Sequence, residues 1–134
     1  MSTLKVNNIQ DASGGNNSTA EQIAQGRAKA WVNIDGNGTV NMRDNFNVSS
    51  ITDNSTGNYT VNFSTNFSDA NYIAVGFAHR NDAGSGRVLV NIDQLISQSA
   101  SAYRFTTSGT TNAQVVGLST VDPSYIFLAF FGDN

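Results

Sequence analysis

The residues best placed to do chemistry gather around the one histidine of the chain, in the run His79, Arg80, Asn81, Asp82, Ala83, Gly84, Ser85. Serine, histidine and aspartate are the members of a nucleophilic triad. A working triad needs an oriented base with a buried carboxylate behind it, whereas these three share one short Gly-rich segment. The spacing favours a histidine closing a strand, with a surface binding contact as its other use. Gly84-Ser85-Gly86-Arg87 lacks the lysine and the following helix of a phosphate-cradling loop and reads as a hairpin loop. Asp35-Gly36-Asn37-Gly38-Thr39 places oxygens at alternate positions, as a calcium loop does. It has neither the later glycine nor the closing glutamate, so tight-turn chemistry is the stronger reading. Nine of the ten acidic residues are Asp, most beside Gly, Asn or Ser. That is the placement of turn-forming aspartates, not of two carboxylates facing each other across a cleft. We therefore expect no catalytic residues, no metal site and no cofactor.

Aromatic faces could also form a sugar-binding platform. Tyr59, Tyr72 and Tyr125 lie in strongly apolar stretches, where core packing with a satisfied hydroxyl is expected. Trp31, the single tryptophan, is flanked by Ala28 and Ala30, which permit close approach; core, subunit contact and ligand contact all remain open for it.

The elements that would position these residues are strands. The charged fraction is 13 %, about half the usual quarter, and Asn, Ser, Thr and Gly take its place. With one Glu, two Lys and one Pro, the composition disfavours helix and favours strands joined by turns. A net charge of −3 and no basic cluster argue against nucleic acid. No apolar stretch approaches the ~20 residues of a membrane helix, so membrane insertion is not expected. Met1-Ser2-Thr3-Leu4 lacks the pattern of a signal peptide, and with no cysteine the chain carries no disulfide framework.

Two units are predicted: a polar arm over residues 1–26 and a β-domain over residues 27–134. In the arm, Leu4 to Ile9 alternates, residues 11–17 form a linker, and Ser18-Thr19-Ala20-Glu21 is a capping box for a helix of about two turns that Gly26 stops. Strands are expected at Ala28–Ile34, Thr39–Met42, Phe46–Ile51 with a bulge at Ser49-Ser50, Tyr59–Phe63, Tyr72–Ala78, Val88–Ile92, Tyr103–Thr106, Val115–Leu118 and Tyr125–Phe131. This spacing implies an all-β antiparallel β-sandwich of about seven or eight strands. Tyr72–Ala78 and Tyr125–Phe131 have no polar alternation, so both are expected to be covered on two faces. Each is then either a central strand of the sandwich or part of an intersubunit core; packing about a three-fold axis would bury both, with Trp31 and Phe130 at the subunit contact.

Two segments resemble a known family. Ser2-Thr3-Leu4-Lys5-Val6-Asn7-Asn8-Ile9-Gln10-Asp11-Ala12-Ser13-Gly14-Gly15, continuing to Gly26-Arg27-Ala28-Lys29-Ala30-Trp31-Val32, is similar to the start of small virion and tail-fibre proteins of tailed bacteriophages, especially those infecting cyanobacteria. Residues Arg43–Asp53, Gly57–Phe63 and Asp69–Tyr72 resemble the β-rich body of the same proteins. The resemblance implies a non-enzymatic virion component, made without a secretion signal and homotrimeric, whose arm anchors it to other virion proteins. Leu4, Val6, Ile9 and Ile23 are then the anchoring side chains. It also implies a receptor loop that meets host surface polysaccharide, pointing to His79, Arg80, Asn81, Asp82 and Arg87 and to the stretch Thr107–Asn112. A short tail fibre or attachment module is the first expectation, a capsid or neck decoration protein the alternative.

Overall fold

Tyr59, Val61 and Phe63 alternate with polar residues, and in the structure all three are buried. Alternating burial recurs at Ala30–Asp35 and Tyr125–Phe131, and the strands form two layers of antiparallel sheet around a shared apolar core. The structure is a computed structural model that describes all of the chain except Asn16, residues 80–89, residues 110–118 and Asn134. In chain order the elements are β1 (Asn8–Ile9), β2 (Ser18–Thr19), α1 (Ala20–Gly26), β3 (Ala30–Asp35), β4 (Asn41–Phe46), β5 (Val48–Ser55), β6 (Asn58–Phe63), β7 (Ile73–His79), β8 (Val90–Gln98), β9 (Ala102–Gly109), β10 (Ser119–Thr120) and β11 (Tyr125–Phe131). The fold is all-β and antiparallel. The expected strand Val115–Leu118 lies outside the described residues.

Strands pair in the order β4-β3-β11-β7-β8-β9-β6-β5, with β10 added on β9. Between β7 and β8 one described pair, Ala78 opposite Val90, joins the halves of the sheet. Its two halves face each other through Val32, Ile34, Ile126, Leu128 and Phe130 on one side and Tyr59, Val61, Phe63, Tyr103 and Phe105 on the other. Phe130 sits between the layers, edge-on to Phe63 at 5.0 Å and to Tyr103 at 5.4 Å between ring centroids. Edge-to-face rings at such distances add to the gain from burial.

The chain changes layer at Asn47, between β4 and β5. Its φ of 55° is in the left-handed region that Asn tolerates better than most residues. Its carboxamide fixes the corner: Nδ2 donates to the carbonyls of Lys29 and Thr65, and Oδ1 accepts the Thr65 N–H. The register shift between Val48 and Ser50 is the bulge that Ser49-Ser50 suggested.

A second knot closes one end of the sandwich. The Tyr59 hydroxyl donates to Asp122 Oδ1 at 2.6 Å, and the same oxygen accepts the Gly57 N–H at 2.6 Å. The Thr107 N–H donates to the Gly57 carbonyl, and Thr107 Oγ1 donates to the Val121 carbonyl. Gly57 is required here. Its φ is +64°, and a Cβ would lie 2.7 Å from the Thr107 carbonyl oxygen. Thr107, Ser108 and Gly109 are buried parts of β9, which corrects the loop expected from Thr107 onward; residues 110–112 lie outside the described residues.

In the arm, β1 pairs with β2 and α1 follows. The capping box exists one residue later than expected. Thr19 is the N-cap, its hydroxyl accepting the Gln22 N–H while the Gln22 side chain accepts the Thr19 N–H. Ser18 and Thr19 both pair with β1.

Candidate functional site

Within one chain neither unbroken apolar run is covered on both faces, which corrects the expectation of a central sandwich strand buried on two sides and leaves the second faces outward. In β11, Ile126, Leu128 and Phe130 enter the core, while Tyr125, Phe127, Ala129 and Phe131 point outward and are half-buried. In β7, Ile73, Val75 and Phe77 are exposed. The two strands lie side by side, so their outward residues shield one another laterally instead of being capped from above.

Register assembles these residues into a surface. Side chains directly opposite in an antiparallel pair share a face. Phe46, Trp31, Ala129 and Val75 form one row across β4, β3, β11 and β7; Asp44, Asn33, Phe127 and Phe77 form the next. Phe131 opposes Ile73 beyond the first row, and Tyr125 opposes His79 beyond the second. The rings touch: Phe77 and Phe127 are 4.8 Å apart, and Tyr125 stacks on Phe127 at 6.1 Å with 7° between planes. Trp31 is 37 % exposed, Phe46 53 %, Phe77 62 % and Ile73 64 %. Depressions of about 690 Å³ and 530 Å³ flank Trp31. The first is bordered by Arg27, Lys29, Phe46 and Asn47, the second by Asn33, Asp44, Phe77 and Phe127.

One end of the face is fixed by Arg43. The register of β3 against β4 shifts between Asn33 and Ile34, leaving Arg43 as the extra residue of a bulge. Its guanidinium lies 4.2 Å from the Tyr125 ring centroid. It also pairs with the Asp35 carboxylate and donates to the carbonyls of Ile34 and Ser124. Asp35 additionally accepts the Asn37 N–H. The Asp35–Thr39 segment is thus a tight turn whose leading carboxylate is occupied by an arginine. Asn33 and Asp44 are the polar members of these rows, and Asn33 Oδ1 is covered with no hydrogen-bond partner among the described residues.

Phe130, expected at a subunit contact, is fully buried in the core. Its neighbour Phe131 is the one that faces out, because parity along the strand decides the side. Trp31 is on the outer face, as a contact residue would be. Tyr125, expected in the core, is half-buried beside Arg43 and His79, whose ring lies 6.3 Å away. His79 is exposed at the end of β7. Arg80, Asn81, Asp82 and Arg87 lie outside the described residues. Leu4, Val6, Ile9 and Ile23 are all exposed. Sequence reasoning did not single out Phe46, Val75, Phe77 and Arg43; the signal available was that the outward parities of two adjacent apolar strands must meet.

The ionisable groups with resolved shifts serve the fold. Burial raises the Tyr59 phenol far above its ordinary value, and the hydrogen bond to Asp122 adds to it. Burial likewise raises Tyr72 and Tyr103. The exposed Asp69 is lowered by hydrogen bonds from Asn71. Among the described residues no three His, Cys, Asp or Glu side chains gather as metal ligands would, and no helix is long and apolar enough to cross a membrane. The chain matches no family model, no curated protein and no solved structure.

Proposed function

We propose that the chain is a non-enzymatic structural component of a bacteriophage virion, a short tail fibre or receptor-binding module held by its arm. The observation that carries this reading is the build of residues 1–26. Leu4, Val6, Ile9 and Ile23 project into solvent from a segment with one two-residue ladder and one seven-residue helix. Elements this short are marginal by themselves and gain order by docking on a larger surface. The sandwich is then the outward part, with the exposed His79 at the end of β7 meeting host polysaccharide.

Adsorption tests this reading. Labelled full-length protein should bind host cells, and antibodies against it should block infection; protein that neither binds nor, as antigen, yields blocking antibodies would remove the attachment role. A capsid or neck decoration role is the second reading, favoured by the broad apolar outer face. It predicts high copy number and loss of heat resistance when the protein is removed, whereas a fibre predicts few copies per particle.

A further inference from the structure

We infer that the outer face of β4, β3, β11 and β7 is an interface, and that its occupant is a further copy of this chain. The area supports this. A fully exposed large apolar side chain presents about 200 Å². At the observed exposures, Trp31, Phe46, Ile73, Val75 and Phe77 together leave on the order of 500 Å² of apolar surface in one contiguous patch. That is near the upper limit for the largest patch on an ordinary monomer. Two such patches placed together bury about 1,000 Å², the area that a biological interface has to clear. The half-buried Tyr125, Phe127, Ala129 and Phe131 lie in the same patch and add to it.

The composition of the face suits a like partner. Its centre is aromatic and β-branched, on the rigid backbone of two central strands and one neighbour, so little side-chain freedom is lost on contact. Its rim carries both signs, with Arg27 beside the depression on one side of Trp31 and Asp44 beside the other. Two copies can therefore meet without opposing like charges. Cross-strand rows of Trp31 with Phe46 and Phe77 with Phe127 have the character of an interface centre, where aromatic residues concentrate and charges are sparse. The inference does not depend on a virion role: a chain that fails to adsorb to cells still associates through this face.

The test uses the full chain in sedimentation velocity over a wide dilution series, beside three variants. The expected result is a mass above one chain for the unmodified protein, falling to one chain in V75E/F77E with an unchanged far-ultraviolet dichroism spectrum. L95E, which places the same charge at an exposed apolar position on β8, should associate as the unmodified protein does. L4S/V6S/I9S should also associate normally. A single-chain mass at all concentrations overturns the inference. So does association that survives V75E/F77E but is lost in L4S/V6S/I9S, which would assign it to the arm. If V75E/F77E does not fold, Trp31 decides the matter in the unmodified chain. As the sole tryptophan, it should shift its emission to the blue and lose access to acrylamide as mass rises, and a mass increase with no change at Trp31 overturns the inference.

Discussion

Replacing Tyr59 by Phe removes a single buried hydroxyl, and its effect should depend on pH in a way that no simple loss of packing would. At neutral pH the hydroxyl donates to Asp122 Oδ1 at 2.6 Å from a fully buried ring. A hydrogen bond to a charged acceptor contributes about 1.5–3 kcal/mol. Asp122 retains the Gly57 N–H, so the expected cost of Y59F is about 2 kcal/mol. Burial and that hydrogen bond hold the phenol protonated in the folded chain well above the value of 10.0 that it regains on unfolding. Above pH 10 the unfolded chain therefore binds fewer protons than the folded one, and stability falls as pH rises. At one unit above that value the loss from Tyr59 alone is about 1.4 kcal/mol. Y59F has no phenol at this position and escapes the loss. The gap between the two proteins should shrink from about 2 kcal/mol at pH 7 to well under 1 kcal/mol at pH 11. Urea unfolding followed by far-ultraviolet dichroism at both pH values measures it. A gap that stays constant, or one below about 0.5 kcal/mol at pH 7, would refute the account of this knot.

Other substitutions separate the roles of neighbouring residues. F130A empties a site between the layers and should cost about 3–5 kcal/mol in urea unfolding, while F77A on the outer face should cost under ~1 kcal/mol in dilute solution. G57A should lose more than ~1 kcal/mol, because its backbone has a φ of +64° and its Cβ would press on Thr107 and Val121; a neutral result by thermal unfolding would contradict this geometry. T19A removes the cap hydroxyl, which is one half of the capping box, and leaves the Thr19 backbone N–H bond to Gln22. It should weaken α1 by about 1 kcal/mol and speed amide exchange at Gln22 and Ile23, leaving the exchange of β6 and β11 unchanged.

Much of the framework is legible in the residues themselves. Tyr59, Val61 and Phe63 declare a strand with one buried face, and the apolar run Tyr125–Phe131 coincides with β11 from end to end. The bulge at Ser49-Ser50 and the turn at Asp35-Gly36-Asn37-Gly38 follow from local chemistry and need no partner to be read. What cannot be read is anything set by register. An unbroken apolar run does not reveal whether its second face is covered from above or only flanked by a similar strand. Pairing of β7 with β11 produces the second arrangement. Parity has the same character: Phe130 and Phe131 are adjacent and alike, yet one is core and the other surface. The knot of Gly57, Tyr59, Thr107 and Asp122 joins residues far apart in the chain, and no local pattern announces it. The cap falls at Thr19 and not at Ser18 although both residues can cap, each with a side chain three places on that can reach back, and both pair with β1; nothing local decides between them.

The proposed virion role is tested most directly on purified virions. Quantitative mass spectrometry of particles from a phage encoding this chain should find it at a fixed copy number relative to the major capsid protein. Few copies would mark a fibre or attachment tip and many a decoration protein. Absence of the chain from purified particles would contradict the structural role altogether.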